Sequence, residues 1–333
     1  MTKLELDQRE RSWPTLSTRV MSSASAVALI FQQCRGIRIL SYHGLVERIE
    51  DSRLERNFHT IAEFRNHVSL LRHLRVYSLA ELEHCLDKGA LPKRGVTIVV
   101  TFDDGYANNL VAAEVLAEAR LPWAVFVTTG PLDGGSTIWT AELSLLLLHG
   151  RISSLRLFDA TWSLESREDR EIAFQSIRSR LKALPAGERI EAVRILRSQY
   201  SHGELAYLLE RFPSFAMMRP DQLTSLANAG VEVGSHGVHH EVHHARQPRS
   251  VRMAELEDSK RRIVELTERE CRYFAYPNGN AESGAPVDVR SAGFALAFTT
   301  EPGTVTPDSN PWLLPRIEPK RPLAQLAKML RSP

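Results

Sequence analysis

The chain is poor in cysteine, with three in 333 residues: Cys34, Cys85 and Cys271. Their odd number and wide spacing argue against a disulfide framework and point to a reducing compartment. It also has little excess charge of either sign, with 42 Lys and Arg against 40 Asp and Glu. Nothing in that balance implies a strong field for nucleic acid or a membrane surface. Long apolar runs are lacking as well. The modestly apolar stretch 20–31 is too short to span a bilayer and has no convincing small-residue cleavage site behind it. A cytoplasmic protein is expected, with an amphipathic helix touching a membrane as the alternative. Histidine, finally, does not occur after His244.

What is present is a hydrophobic content of 43%, enough for a large core. The stretch around which the rest is organised is Ile98-Val-Val-Thr-Phe-Asp-Asp-Gly-Tyr-Ala-Asn108. Val96, Ile98, Val99 and Val100 read as a buried strand. It ends in two adjacent carboxylates, Asp103 and Asp104. Paired acids at the mouth of a buried strand suffer desolvation and mutual repulsion, which a bound cation offsets. Taken alone, the pair reads equally as a loop capping the next helix.

A second stretch changes that balance. Gly234-Ser-His-Gly-Val-His-His-Glu-Val-His-His244 puts five imidazoles into nine residues, directly after a short strand-like run. Pairs spaced i, i+4 place two imidazoles on one face of a helical turn, where both reach one metal. Three pairs have that spacing: His236/His240, His239/His243 and His240/His244. Spacing does not choose among them, and an exposed cluster that binds metal adventitiously is the plain alternative. Carboxylate plus imidazoles is a ligand set suited to Zn²⁺ among other divalent ions.

At this point the chain resembles the polysaccharide deacetylases (carbohydrate esterase family 4, the NodB-homology domain). Thr101-Phe-Asp-Asp-Gly105 is similar to the family's first motif, and Gly234-Ser-His-Gly-Val-His-His240 to its second. Phe274-Ala-Tyr-Pro-Asn-Gly279 resembles the third motif of a bacterial subgroup tied to exopolysaccharide and O-antigen synthesis. Ile39-Leu-Ser-Tyr-His43, Phe126-Val-Thr-Thr-Gly130, Ala292-Gly-Phe-Ala-Leu-Ala-Phe-Thr-Thr300 and Leu314-Pro-Arg-Ile317 follow the family's order, over roughly residues 37–320. The resemblance implies Asp104, His236 and His240 as metal ligands and Asp103 as catalytic base. It departs from the family in three places. Gly237 stands where many members have Ser or Thr, which is expected to loosen the turn. The late histidine used as general acid is missing, and Ala275 replaces an Arg that orients the base. Arg316 is the candidate for that orienting role and His43 for the acid.

The expected fold is α/β, a distorted (β/α)7-type barrel with a mostly helical insertion. Strands ending in His43, Asp103/Asp104, Thr128/Thr129, His236 and Thr299/Thr300 collect polar groups at one end, as on a barrel's active face. The organisation reads as a helical leader over 1–36, a first barrel part over 37–135, an insertion over 136–216, a second barrel part over 217–322, and a tail over 323–333. Asp221 reads as a helix cap behind Pro220. The helix carrying Met253, Leu256, Ile263 and Leu266 reads as ordinary scaffold. Trp139 offers a ring for stacking on a sugar. Tyr276, Pro277, Asn278 and Gly279 form a turn beside the site whose backbone offers an N–H to an oxyanion.

The function implied is metal-dependent removal of an N-acetyl group from an amino sugar in a glycan or glycolipid precursor, with Zn²⁺ as the expected ion. The alternatives are a catalytically silent glycan-binding relative and a deformylase acting on an N-formyl sugar. No nucleic-acid partner is expected.

Overall fold

The structure, a computed structural model, describes residue 27 and residues 30–331 apart from 135, 245 and 283. Most of the leader expected over 1–36 therefore lies outside the described residues. In chain order the strands are β1 (Ile37–Tyr42), β2 (Leu45–Val46), β3 (His59–Thr60), β4 (Arg75–Tyr77), β5 (Thr97–Phe102), β6 (Ala124–Val127), β7 (Ser154–Leu157), β8 (Ala160–Ser163), β9 (Glu232–Ser235), β10 (Tyr273–Ala275) and β11 (Leu296–Phe298).

The main sheet runs β1-β5-β6-β9-β10-β11, with β4 also paired to β5, and its strand pairs are parallel. All six residues of β1 and of β5 are buried. The apolar, β-branched centre of β5, Ile98-Val-Val100, suits a strand covered on both faces. The sheet curls on itself. Leu314 bridges to Phe298 on β11 and Ile317 to Leu40 on β1, so Leu314-Pro-Arg-Ile317 joins the last strand to the first. The result is a (β/α) barrel with helices outside it.

Those helices start where local chemistry allows. Thr60 with Glu63 and Ser78 with Glu81 form capping boxes for Ile61–Leu71 and Leu79–Asp87. Asp221 is not a cap. Arg219 holds the N-cap position with Pro220 first in the helix, and Asp221 instead pairs with Arg219 at 2.9 Å. Residues 323–331, expected as a tail, form the helix Leu323–Arg331, because Leu326, Ala327 and Leu330 recur at helical spacing and bury against the barrel core.

Between β6 and β9 the chain builds the helices Trp139–His149, Arg167–Lys182, Ala186–Arg197 and Glu204–Arg211, and the antiparallel hairpin β7–β8. Leu143, Leu146, Phe174, Ile177, Leu181 and Leu208 form their own apolar core, continuous with Phe58, Tyr106 and Val242 at the barrel rim. Among the described residues, no helix is long and apolar enough to cross a membrane.

Candidate metal centre

Strand register assembles the site. β1 and β5 pair from Ile37 with Thr97 to Tyr42 with Phe102, so the next residues, His43 and Asp103, leave the sheet side by side. The Asp103 N–H donates to the Tyr42 carbonyl at 2.9 Å. On β9, Ser235 pairs with Val127, and the His236 N–H donates to the Val127 carbonyl at 2.9 Å. Parallel strands thus deliver His43, Asp103, Asp104 and His236 to one end of the barrel.

Asp104 takes φ 73, a left-handed conformation that a non-glycine residue adopts only when its surroundings impose it. Its Oδ1 lies 3.4 Å from His236 Nε2 and 3.4 Å from His240 Nε2. Two ligands held at about 2.0–2.1 Å on a tetrahedron stand about 3.3–3.4 Å apart. The spacing therefore fits donors converging on a single ion. Among the described residues, these three form the group with metal-binding geometry, and all three are buried.

The tautomer of His236 is dictated by its neighbour. Nδ1 sits 2.8 Å from the Ala275 carbonyl, which only accepts, so Nδ1 carries the proton and Nε2 offers its lone pair. The second-motif loop is not the helical turn that i, i+4 spacing suggested. Gly237 at φ 81 and His240 at φ 58 turn the chain twice, and those turns bring the two rings together with centroids 5.0 Å apart. A Cβ at Gly237 would stand 2.7 Å from Glu255 Oε2. That carboxylate accepts from the Val238 and His239 N–H groups at 2.8 and 2.9 Å, while its other oxygen meets His239 Nδ1 at 2.7 Å. His239 is thereby drawn away from the metal group. His243 packs against Phe274 and Tyr276, and His244 Nε2 donates to the Leu184 carbonyl at 3.0 Å.

Arg316 is almost wholly buried and forks onto Asp103, with Nη1 at 2.7 Å and Nη2 at 2.6 Å from its two oxygens. Its Nε donates to the Thr299 carbonyl at 2.9 Å. Burial pushes the Asp103 carboxyl up, but the charges of Arg316 and His236 outweigh it and hold the pKa below its ordinary value. Burial also pushes Asp104 up, against hydrogen bonds from His236 and His240 that leave it well below the usual range. The two imidazoles divide. His240 is lowered, chiefly by burial; at His236 burial is overcome by Asp104 and Asp103, and the pKa rises.

Asp103, Asp104, His236 and His240 line a cavity of about 250 Å³ together with His43, Tyr106, Asn278 and Thr300. Tyr106 was not anticipated; buried beside Asp104, its phenol is pushed well above its ordinary pKa by desolvation and then by that carboxylate. The insertion contributes Ser144, Phe174, Arg178 and Lys182 to the lining. His43 Nδ1 is buried without a protein partner.

Several expected substrate contacts fall elsewhere. Trp139 is 8% exposed, packs under Arg189, and donates from Nε1 to the His240 carbonyl at 3.0 Å. It holds the ligand loop, and its ring faces do not line the metal cavity. Tyr276 is fully buried with its hydroxyl on the Trp312 carbonyl, and Pro277 is buried too. The N–H groups of Tyr276, Gly279 and Asn280 are engaged by the Phe298, Tyr276 and Pro277 carbonyls, which removes them as oxyanion donors. Asn278 does reach the cavity, and its Oδ1 accepts from Lys182 Nζ at 2.6 Å. Gly279 is demanded by the turn, since a Cβ there would lie 1.9 Å from Thr300 Oγ1.

Residues 191–297 match the family model described as polysaccharide deacetylase. The match takes in His236, His240 and residues 274–279, whereas Asp103 and Asp104, which follow β5, precede it. No protein in the comparison with curated sequences matches. Among solved structures, the Streptococcus pyogenes deacetylase PplD in complex with acetate is 16% identical with a TM-score of 0.59, covering 90% of this chain and 99% of that one. IcaB from Ammonifex degensii is 18% identical with a TM-score of 0.58 and the same coverages. The BpsB deacetylase domain from Bordetella bronchiseptica is 16% identical with a TM-score of 0.51, covering 86% and 96%. Identities this low carry the likeness of fold. The family model covers about a third of the chain.

Proposed function

We propose that the chain is a metal-dependent N-deacetylase that removes the acetyl group from an amino sugar of a glycan or glycan precursor. The observation that carries this reading is the convergence of Asp104, His236 and His240 beside the Asp103–Arg316 pair at the open end of the barrel. Asp104, His236 and His240 would hold a divalent ion, with zinc favoured by their chemistry. When bound, such an ion supplies Lewis acidity, which acidifies water and polarises an amide carbonyl.

The protein's own groups do the rest. Asp103 is kept ionised by Arg316 and takes a proton from the attacking water. The guanidinium also holds the carboxylate in one orientation, so that it is aimed before substrate arrives. Collapse of the tetrahedral adduct expels an amine, which leaves readily only if it is protonated. His43, beside Asp103 at the strand ends and lining the same cavity, donates that proton.

The test is an assay of free acetate and free formate released from N-acetylated and N-formylated amino-sugar substrates. Acetate release that depends on added zinc supports the reading. Formate release alone replaces it with a deformylase, and release of neither leaves a glycan-binding relative of the same fold.

A further inference from the structure

The metal cavity is lined by four cations that the proposed chemistry does not use: Arg53, Arg56, Arg178 and Lys182. Arg178 and Lys182 follow Phe174 at i+4 and i+8 on the helix Arg167–Lys182, so successive turns of one helix face look into the site. Arg53 and Arg56 have carboxylate partners in Asp51 and Glu171, and Asp103, Asp104 and Glu318 also line the cavity, but the hydrogen-bond partners of Arg178 and Lys182 are neutral. Arg178 Nη2 donates to the neutral Gln175 side chain at 2.8 Å, and Lys182 Nζ to the neutral Asn278 side chain at 2.6 Å. Arg56 stands 3.6 Å from Glu171. Arg53 is held by Asp51 through Nε and Nη2, while its Nη1 is buried without a partner. The Phe174 ring lies under both Arg56 and Arg178, at 5.8 and 5.0 Å, and steadies the two guanidinium groups.

A neutral sugar offers no charge to Arg178 and Lys182. An anion does, and guanidinium forks beside an ammonium suit a group with several oxygens and more than one charge. A carboxylate presents two oxygens and one charge; a phosphoryl group presents three oxygens and up to two. We infer that the substrate is an N-acylated amino sugar bearing a phosphoryl group, which Arg53, Arg56, Arg178 and Lys182 hold while the acyl group reaches Asp103. This rests on the hydrolytic reading above and adds the class of substrate. Nucleotide-linked and lipid-linked sugar diphosphates share this chemistry.

The experiment is equilibrium binding by titration calorimetry on chelator-treated protein, with N-acetylglucosamine and N-acetylglucosamine 1-phosphate as probes. The phosphorylated sugar binds roughly tenfold or more tightly, as expected for hydrogen bonds to charged groups. The double variant Arg178→Gln/Lys182→Gln loses that preference with an unchanged melting temperature, while Arg178→Lys, which keeps the charge, retains it. Equal binding of the two sugars, or a preference untouched in the folded double variant, overturns the inference. Uridine diphosphate N-acetylglucosamine and a polyprenyl diphosphate N-acetylglucosamine in detergent micelles then separate the two sources. Tighter binding of either supports the inference, and failure of both to exceed the neutral sugar overturns it. No turnover is read, so an inactive protein and a wrong substrate class give different results.

Discussion

Arg316 holds both oxygens of Asp103 from 213 residues further along the chain, and neither group has any appreciable contact with solvent. This ties the closing segment of the barrel to the proposed base. Removing one member of a buried, hydrogen-bonded pair leaves the other uncompensated, at a cost of about 3–5 kcal/mol. In Arg316→Met the Asp103 carboxyl rises from its depressed value, so the acid limb of the rate profile moves to higher pH. The stability linkage has the matching sign. Asp103 is depressed in the folded protein, so its contribution is present above the ordinary carboxylate range and is lost as pH falls through the folded value. Turnover against pH and chemical denaturation of both proteins check this. Unchanged activity in a folded variant removes Arg316 from the mechanism.

Metal content gives the most direct reading of the ligand set. Purified protein supplied with zinc is expected to hold about one equivalent, as a single group of one carboxylate and two imidazoles implies. Asp104→Asn/His236→Ala should hold none. Elemental analysis of both proteins decides the matter, and retention of the metal by the double variant places the site elsewhere.

Much of this was legible in the sequence, but unevenly. β5 declared itself through an apolar, β-branched run, and its two carboxylates through their cost at a buried strand end. The histidine cluster was equally visible, yet its geometry was not. Helical spacing suggested one face of a turn, whereas the rings meet because Gly237 and His240 both take positive φ. Nothing in a local pattern announces a left-handed histidine. Tyr106, Glu255 and Lys182 were missed for a related reason. Their relation to the site comes from tertiary neighbours, and on their own elements they look like an ordinary rim aromatic and two charged helix residues. Trp139 shows the converse error, since an aromatic judged by type alone proved to be a buried brace for the His240 carbonyl.

Glu255 carries the next prediction. Its carboxylate accepts two backbone N–H groups of the ligand loop and faces the His239 ring. Glu255→Ala leaves those donors without a partner in a largely buried setting, at roughly 2–5 kcal/mol. Because the loop presents His236 and His240, zinc affinity should fall by about 10- to 100-fold, the usual effect of losing an outer support. Competition with a zinc-binding dye measures it. Unaltered affinity in a folded variant shows that the loop holds its shape without Glu255.

Lys182 gives the cavity a pH dependence of its own. Burial, then repulsion from Arg178 and Arg56, lowers its pKa to about 8. The ammonium is charged below that value and neutral above it, so affinity for a phosphorylated sugar weakens as pH rises past 8. Lys182→Arg keeps its charge throughout and flattens the curve. Binding measured at half-unit steps from pH 7 to pH 10 tests this, and parallel curves for the two proteins would exclude Lys182 as the titrating group.

His43 is the group whose role chemistry can isolate. It lines the cavity with Nδ1 unpartnered, and its carbonyl is fixed by Asn109 Nδ2 at 2.6 Å, so the backbone stays in place when the ring is removed. As proton donor to the departing amine, His43 contributes about 10²- to 10⁴-fold to kcat. His43→Ala should lose that factor on an N-acetyl sugar while holding the same zinc content. An aryl acetate supplies the discriminating readout, because a phenolate leaves without being protonated. The variant is expected to hydrolyse it nearly as fast as the parent protein does. Equal losses on amide and aryl ester would mark His43 as structural. Full activity on both would pass the proton back to Asp103, which would then act as base in the first step and acid in the second.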